Sequence, residues 1–114
     1  MTYIRQTEKF LILNTKTEIR NIPLDNILYF ECDGSLIRVY HSESDETNCF
    51  IGSLKNLETE YVKYGFLRIS HNHLVNMKHM VCCKRKVHEL NLKNKFFLKV
   101  TRRKWRLIKD FHNL

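Results

Sequence analysis

Two short apolar runs joined by a turn dipeptide, ILYFEC and SLIRVY around Asp33-Gly34, constrain the fold of this chain more than any other feature. Both runs are rich in β-branched and aromatic residues, which favour extended backbone. Glycine accepts the positive φ that a tight turn requires. Residues 27–40 therefore predict a β-hairpin, and this is the clearest local signal in the sequence.

Other strand-length runs lie at hairpin distances from one another. FLILNTKTEIRN, residues 10–21, predicts two short strands around a polar turn at residues 14–17, and Pro23 then interrupts pairing. A short strand is expected over residues 49–51, and extended pieces are expected in VCCK and KVHELNL. After a turn at residues 93–95, KFFLKV predicts a strand with Phe96, Leu98 and Val100 on one face.

Helical signals are fewer. SLKNLETEYVKYG, residues 53–65, begins with Ser53 as an N-cap and ends with Gly65 just past the last turn. Its apolar residues at helical spacing are Leu54, Leu57, Tyr61 and Val62. The last segment, TRRKWRLIKDFHNL, predicts a strand end leading into a short basic helix, with Trp105, Leu107 and Ile108 packed inward. Strands thus outnumber helices, which predicts mainly antiparallel sheets and no βαβ unit.

The length of 114 residues, of which 43% are hydrophobic, predicts one core and one domain. We expect residues 1–8 to be an extension or linker remnant and residues 9–114 to form the domain. No apolar run approaches the roughly 20 residues of a bilayer span, and MTYIRQTEKF lacks a secretory core, so the expected compartment is the cytoplasm. The cysteines show no CxxC spacing and are expected to be reduced thiols: Cys32, Cys49, Cys82 and Cys83.

The net charge of +8 is concentrated in the last part of the chain. Residues 1–83 hold nine Lys/Arg and ten Asp/Glu, a balance of −1, whereas residues 84–114 hold eleven and two, a balance of +9. Local basicity of this kind suits a polyanion, because each cation near a phosphate releases condensed counterions. The alternative is a solvated face that keeps the protein soluble.

The stretch LRISHNHLVNMKHM, residues 67–80, concentrates hydrogen-bonding side chains. His71-x-His73 places two imidazoles on one side of a strand, and His79, Cys82 and Cys83 could complete a metal site, but two ligands do not make one. No HExxH, nucleophile elbow or glycine-rich phosphate loop is present, so we expect no enzyme, no cofactor and no metal. Asparagine, histidine and arginine together offer the donors and acceptors that base edges require.

RISHNHLVN, residues 68–76, resembles the segment of LytTR DNA-binding domains that usually reads R-x-H-R-S-[aromatic]-x-V-N. The similarity continues in order on both sides, through LDNILYFECDGSLIRVY, GSLKNLETEYVKYGFLRI and LKVTRRKW, over about ninety residues from Leu24 onward. The resemblance implies an elongated, mainly β fold of short antiparallel sheets with one small helix and a short C-terminal helical turn. It also implies DNA binding through loops placed in successive major grooves.

Carried over by position, the resemblance implies base contacts by His71 and Arg103 and, from the hairpin, by Ser35, Leu36 or Ile37. The expected phosphate contacts are Arg68, Ser70, Asn72, His73, Lys78, Thr101, Arg102 and Lys104. For Arg68, an ion pair with a nearby carboxylate is the alternative.

The departures of this sequence from the usual motif include Ser70, Asn72 and His73, which replace the histidine, serine and aromatic residue. Sequence preference should therefore differ from that of typical members. Asn76 is expected to tie its loop to backbone groups. Leu74, Val75 and Trp105 are expected in the core.

The function implied is sequence-specific binding of double-stranded DNA by a bacterial transcription regulator, with two copies side by side on direct repeats about one helical turn apart and little dimer contact in solution. A receiver domain or a membrane sensory segment is the expected partner in such regulators. Two other functions stay open: a basic RNA-binding domain, and a protein-interaction module whose charge meets an acidic partner.

Overall fold

A computed structural model describes residues 3–6, 10–42, 44–93 and 96–112 of the chain. Within these ranges eleven strands and two α-helices follow one another, joined by short 3-10 turns. The strands are β1 (Tyr3–Gln6), β2 (Phe10–Asn14), β3 (Ile19–Pro23), β4 (Ile27–Asp33), β5 (Leu36–His41), β6 (Ser44–Ile51), β7 (Phe66–Arg68), β8 (His73–Asn76), β9 (Met80–Lys84), β10 (Glu89–Leu92) and β11 (Phe97–Lys99). The helices are α1 (Leu54–Tyr61) and α2 (Trp105–Phe111).

A five-stranded antiparallel sheet, in the order β6-β5-β4-β8-β7, forms the centre of the molecule. The predicted hairpin is its β4–β5 pair, and Gly34 at the turn has φ of 62°, the left-handed value that favours glycine. Two three-stranded antiparallel sheets, β1-β2-β3 and β11-β10-β9, flank it. The mainly β fold of short antiparallel sheets is confirmed.

The central sheet is buried on both faces. Neighbouring residues of its middle strands point in opposite directions, so they pack in two different hydrophobic clusters. In β4, Phe30 belongs to one hydrophobic cluster and Tyr29 to the other. In β8, Leu74 and Val75 are divided in the same way and both are fully buried. One cluster joins the sheet to β2, β3 and α1, and the other joins it to β10, Val100 and α2.

Helix α1 begins and ends as its sequence predicts. The Ser53 hydroxyl accepts a hydrogen bond from the Asn56 amide at 3.3 Å, and Gly65, with φ of 88°, ends the 3-10 turn that follows the helix. Leu54, Leu57 and Tyr61 are buried. Val62 is instead 54% exposed, because the backbone tightens to a 3-10 turn there and rotates its side chain outward.

Several predicted boundaries differ from the structure. Residues 3–6 pair with β2 as an edge strand, and the domain boundary after residue 8 stays a prediction. Strand β6 begins at Ser44 and is longer than predicted. Residues 86–88, expected to be extended as the start of KVHELNL, belong instead to a turn over residues 85–88, in which His88 has a positive φ of 47°. The predicted turn at residues 93–95 lies partly outside the described residues.

The four cysteines are free thiols. In the described part of the chain, neither α-helix nor any 3-10 turn has the length and apolarity that crossing a bilayer requires.

Candidate nucleic-acid interface

Three connecting segments of the chain emerge at one end of the central sheet. Glu31 of β4 pairs with His73, the first residue of β8, and the ladder continues as the Cys32 amide donates to the Asn72 carbonyl at 2.9 Å. The β7–β8 loop, residues 69–72, therefore lies beside the β4–β5 turn. The Gly52 amide donates to the Ser35 carbonyl at 2.9 Å, which places the beginning of α1 at the same end.

The C-terminal turn, residues 101–104, joins this group through one backbone contact. The Thr101 amide donates to the Ile69 carbonyl at 3.0 Å. The amides of Lys104 and Trp105 then donate to the Thr101 carbonyl, each at 3.0 Å, which closes the turn and starts α2. Two segments more than thirty positions apart in sequence are thus held side by side.

A shallow groove of about 590 Å³ runs between these segments. Its lining residues are Lys55, Arg68, Ser70, His71, Thr101, Arg103 and Lys104. The set contains four cations and no acidic residue, so the groove attracts anions. His71 and Arg103, the two residues predicted to read bases, are both exposed within it.

A chain of side-chain hydrogen bonds connects the β7–β8 loop to the central sheet. Nε2 of His73 lies 2.9 Å from Oε2 of Glu31, and Nδ1 lies 3.0 Å from the Ser70 hydroxyl. Because a carboxylate only accepts, Nε2 carries the proton, and a neutral imidazole then accepts the Ser70 proton at Nδ1. The Ser70 oxygen also accepts the Asn72 amide at 3.3 Å. We call Ser70, His73 and Glu31 the clamp.

Two further side chains fix Glu31 itself. Its Oε1 accepts from the Tyr40 hydroxyl at 3.3 Å and from the Arg38 guanidinium at 3.4 Å. Burial and the neighbouring Glu31 carboxylate raise the pKa of Tyr40, so its hydroxyl stays a donor at neutral pH. The clamp is therefore anchored on strands β4 and β5 of the central sheet.

Arg68 supports the loop in a different way. One guanidinium nitrogen donates to the His71 carbonyl at 2.8 Å, and the other lies 3.8 Å from a Glu58 oxygen on α1. This is the carboxylate ion pair that the sequence offered as the alternative to a phosphate contact. The bond to the His71 carbonyl fixes the backbone at the position that presents the imidazole.

The remaining predicted contacts lie in different surroundings. Ser35 is exposed and Leu36 half-buried at the hairpin turn, beside the groove. Ile37 is fully buried in the core, so its side chain cannot reach a base and we leave it out of the proposed contacts. Lys78 forms an ion pair with Asp25 at 2.6 Å, in a separate groove lined also by Lys63 and Tyr64. The Lys78 ammonium lowers the pKa of the Asp25 carboxyl.

The structural roles predicted for Asn76 and Trp105 are confirmed. Nδ2 of Asn76, in a residue only 1% exposed, donates to the carbonyls of Leu24 at 3.3 Å and Ile27 at 3.0 Å. Trp105 packs against the second hydrophobic cluster, and its ring stacks on His88 with a centroid distance of 4.5 Å.

Two residues at the groove end of the central sheet were not predicted from the sequence. Lys55 enters the groove because Ser53 starts α1 there, a position that requires knowing which end of the sheet the helix meets. Glu31 lies 42 positions before His73, and only strand pairing brings the two together. Across the described ranges, no group of three or more His, Cys, Asp or Glu is placed to hold a metal ion.

The fold and this groove define a small antiparallel β domain that presents loops at a cationic end. The LytTr DNA-binding domain family matches residues 17–113, and the chain belongs to this family. It is therefore a DNA-binding domain of a regulator, and the resemblance read from the sequence is confirmed. No curated protein matches the chain at a significant level.

A solved structure has the same fold. It is described as the LytTr DNA-binding domain of a methyl-accepting/DNA response regulator from Bacillus cereus. The similarity has a TM-score of 0.81 and covers 95% of this chain and 100% of that chain, at 19% sequence identity.

Proposed function

We propose that this domain binds specific sequences of double-stranded DNA, with the β7–β8 loop and the C-terminal turn reading base edges in the major groove. His71 offers a donor and an acceptor, and Arg103 offers the fork of donors that pairs with guanine. Thr101, Arg102, Lys104 and Lys55 would contact phosphates around them. As a transcription regulator, the protein would act in the cytoplasm.

One observation carries this proposal: the 3.0 Å hydrogen bond from the Thr101 amide to the Ile69 carbonyl. It joins the two segments that bear His71 and Arg103 through backbone atoms, so their separation does not depend on flexible side chains. Base discrimination needs such fixed geometry, because a reading group displaced by about 1 Å can no longer form a bidentate pair with its base.

The dimensions of the domain support binding along the duplex. Its principal extents are 45 × 24 × 24 Å, so the long axis exceeds the roughly 34–36 Å of one helical turn. The hairpin turn with Ser35 and Leu36 would face the DNA beside the β7–β8 loop. Two copies would bind side by side on direct repeats about one turn apart, with weak or no dimerisation in solution. Because 45 Å exceeds that spacing, each copy would lie inclined to the duplex axis.

Selection of bound duplexes from a random pool tests this proposal. We expect enrichment of a short motif. Arg103→Ala should lose about 1–3 kcal/mol of binding free energy on that motif and should relax the base preference at one position of it. Arg103→Lys is the matched control, because it keeps the charge and removes the bidentate fork. It should retain affinity for random duplex and lose preference for the motif.

Other outcomes would favour the two remaining functions. Single-stranded RNA that displaces the duplex in competition would favour an RNA-binding domain. A pool that yields no enriched sequence would favour a module whose positive charge meets an acidic protein. Equal losses on motif and random duplex in both Arg103 variants would contradict direct base reading.

A further inference from the structure

The structure holds a second cationic surface next to the groove, formed by the basic turn, residues 84–88. Lys84, Arg85 and Lys86 are all exposed on it. None of the three is among the contacts implied by the family resemblance, and none lines the groove that contains His71 and Arg103.

Two contacts fix the basic turn beside the C-terminal turn. The Val100 amide donates to the His88 carbonyl at 2.8 Å, and the next residue, Thr101, bonds to Ile69. Because consecutive Cα atoms are about 3.8 Å apart, the basic turn and the β7–β8 loop lie on either side of one short backbone segment. The stacking of His88 on Trp105 holds the basic turn against α2.

The charges of the two turns are not neutralised inside the protein. Lys84, Arg85 and Lys86 on one turn and Arg102, Arg103 and Lys104 on the other have no carboxylate within 4.0 Å in the described part of the chain. Elsewhere in the described chain, Arg20, Arg38, Arg68 and Lys78 each have an acidic partner, whereas isolated lysines such as Lys16 and Lys63 have none. Glu89, the nearest acidic residue in sequence to the basic turn, lies 3.8 Å from Lys99.

Six unneutralised cations on adjacent turns repel one another, and a polyanion along both turns removes that repulsion. We propose that the basic turn binds backbone phosphates of duplex DNA that flanks the recognised site on one side. This inference rests on the proposed function, since it takes the groove to lie on DNA. The DNA footprint of the domain would then extend on one side only, beyond the bases that His71 and Arg103 would read.

The test measures binding to three duplexes: the recognised site alone, and the site extended by about one helical turn on one side or on the other. The wild-type domain should gain affinity from one extension and not from the other. In the variant K84Q/K86Q that gain should disappear, and the slope of log affinity against log salt should fall by roughly 0.9 for each phosphate that is no longer neutralised. Arg85 stays unchanged because it also packs in the cleft beside Trp105.

The matched control is K16Q/K63Q, which removes the same charge from two exposed lysines on other turns. It should keep the one-sided gain. The proposal is overturned if neither extension tightens wild-type binding, if both do so equally, or if K84Q/K86Q retains the gain. Unfolding curves in urea verify that each variant is folded. Repeating the series on duplexes of scrambled sequence distinguishes failure of the base-reading function from failure of the flanking phosphate contact. If the domain does not read bases, motif and scrambled duplexes bind alike. A length-dependent loss of affinity in K84Q/K86Q can still be measured in that case.

Discussion

His73 and Glu31 face each other on paired strands, with Nε2 of the imidazole 2.9 Å from a carboxylate oxygen. The other ring nitrogen is used by Ser70, so both polar atoms of His73 are engaged inside the protein. The sequence offered His73 as a phosphate contact. We propose instead that the clamp positions the β7–β8 loop, so that His73 holds in place the loop that presents His71 to the DNA.

The variant His73→Ala separates these two roles. If His73 positions the loop, its loss should weaken binding to the selected motif, leave binding to random duplex nearly unchanged, and leave the salt slope unchanged. A phosphate contact would behave differently: its loss would weaken all duplexes alike, and only a protonated imidazole would also lower the slope, by about 0.9. Ser70→Ala removes one bond of the same clamp, so the double variant should lose less than the sum of the two single losses.

Lys104 should contribute to affinity without contributing to sequence preference. It lies in the groove, and no carboxylate neutralises it among the described residues. Lys104→Ala is expected to weaken motif and random duplex by the same factor and to reduce the salt slope by about 1, measured by fluorescence anisotropy at several salt concentrations. Lys109→Ala, an exposed position on α2 outside the groove, is the control and should have a much smaller effect. Loss of preference in Lys104→Ala would contradict a phosphate role.

The sequence predicted the elements that depend on local chemistry. The turn at Gly34, the N-cap at Ser53 and the αL glycine at Gly65 follow from residues a few positions apart, and each is where the sequence placed it. Long-range contacts could not be predicted from local sequence. The Glu31–His73 contact and the Thr101–Ile69 hydrogen bond each join residues more than thirty positions apart. Burial of Ile37 likewise depends on which face of β5 meets the core, which one strand's alternation leaves open.

Asn76 should be critical for stability and unimportant for sequence preference. Its amide serves two backbone carbonyls, and its Oδ1 accepts the Lys78 amide at 3.1 Å. Asn76→Ala removes three hydrogen bonds at a buried site, although the Leu24 carbonyl keeps the bond from the Ile27 amide, so we expect the free energy of unfolding to fall by about 2–4 kcal/mol in urea titrations. Asn21→Ala, on an exposed position of β3, should change stability by no more than about 0.5 kcal/mol.

The folded fraction of Asn76→Ala should still prefer the motif. Asn76 ends β8, whereas the β7–β8 loop precedes the first residue of that strand, so the substitution lies at the opposite end of the strand from His71. Loss of preference at a temperature where the variant is folded would show that Asn76 also shapes the reading segments.

Tyr61 carries a buried hydroxyl with no hydrogen-bond partner among the described residues, in a side chain only 1% exposed. Removing an unsatisfied buried group breaks no hydrogen bond, so Tyr61→Phe should stabilise the domain by about 1 kcal/mol at neutral pH. Tyr40→Phe is the contrast: the Tyr40 hydroxyl donates to a Glu31 oxygen at 3.3 Å, and its removal should destabilise the domain.

Tyr61 and Tyr29 make the stability of the domain depend on pH in the alkaline range. Burial raises the pKa of both Tyr61 and Tyr29 above the ordinary value of 10.0, so the folded state keeps their phenols neutral after the unfolded chain has begun to ionise. Ionisation of these phenols leaves the free energy of unfolding unchanged below about pH 10 and lowers it progressively as pH rises above that value. Tyr61→Phe should therefore lose less stability than wild type between neutral pH and about pH 11, measured by denaturant titration at each pH. A parallel decline in both proteins would show that the phenol ionises as readily in the folded chain as in the unfolded one.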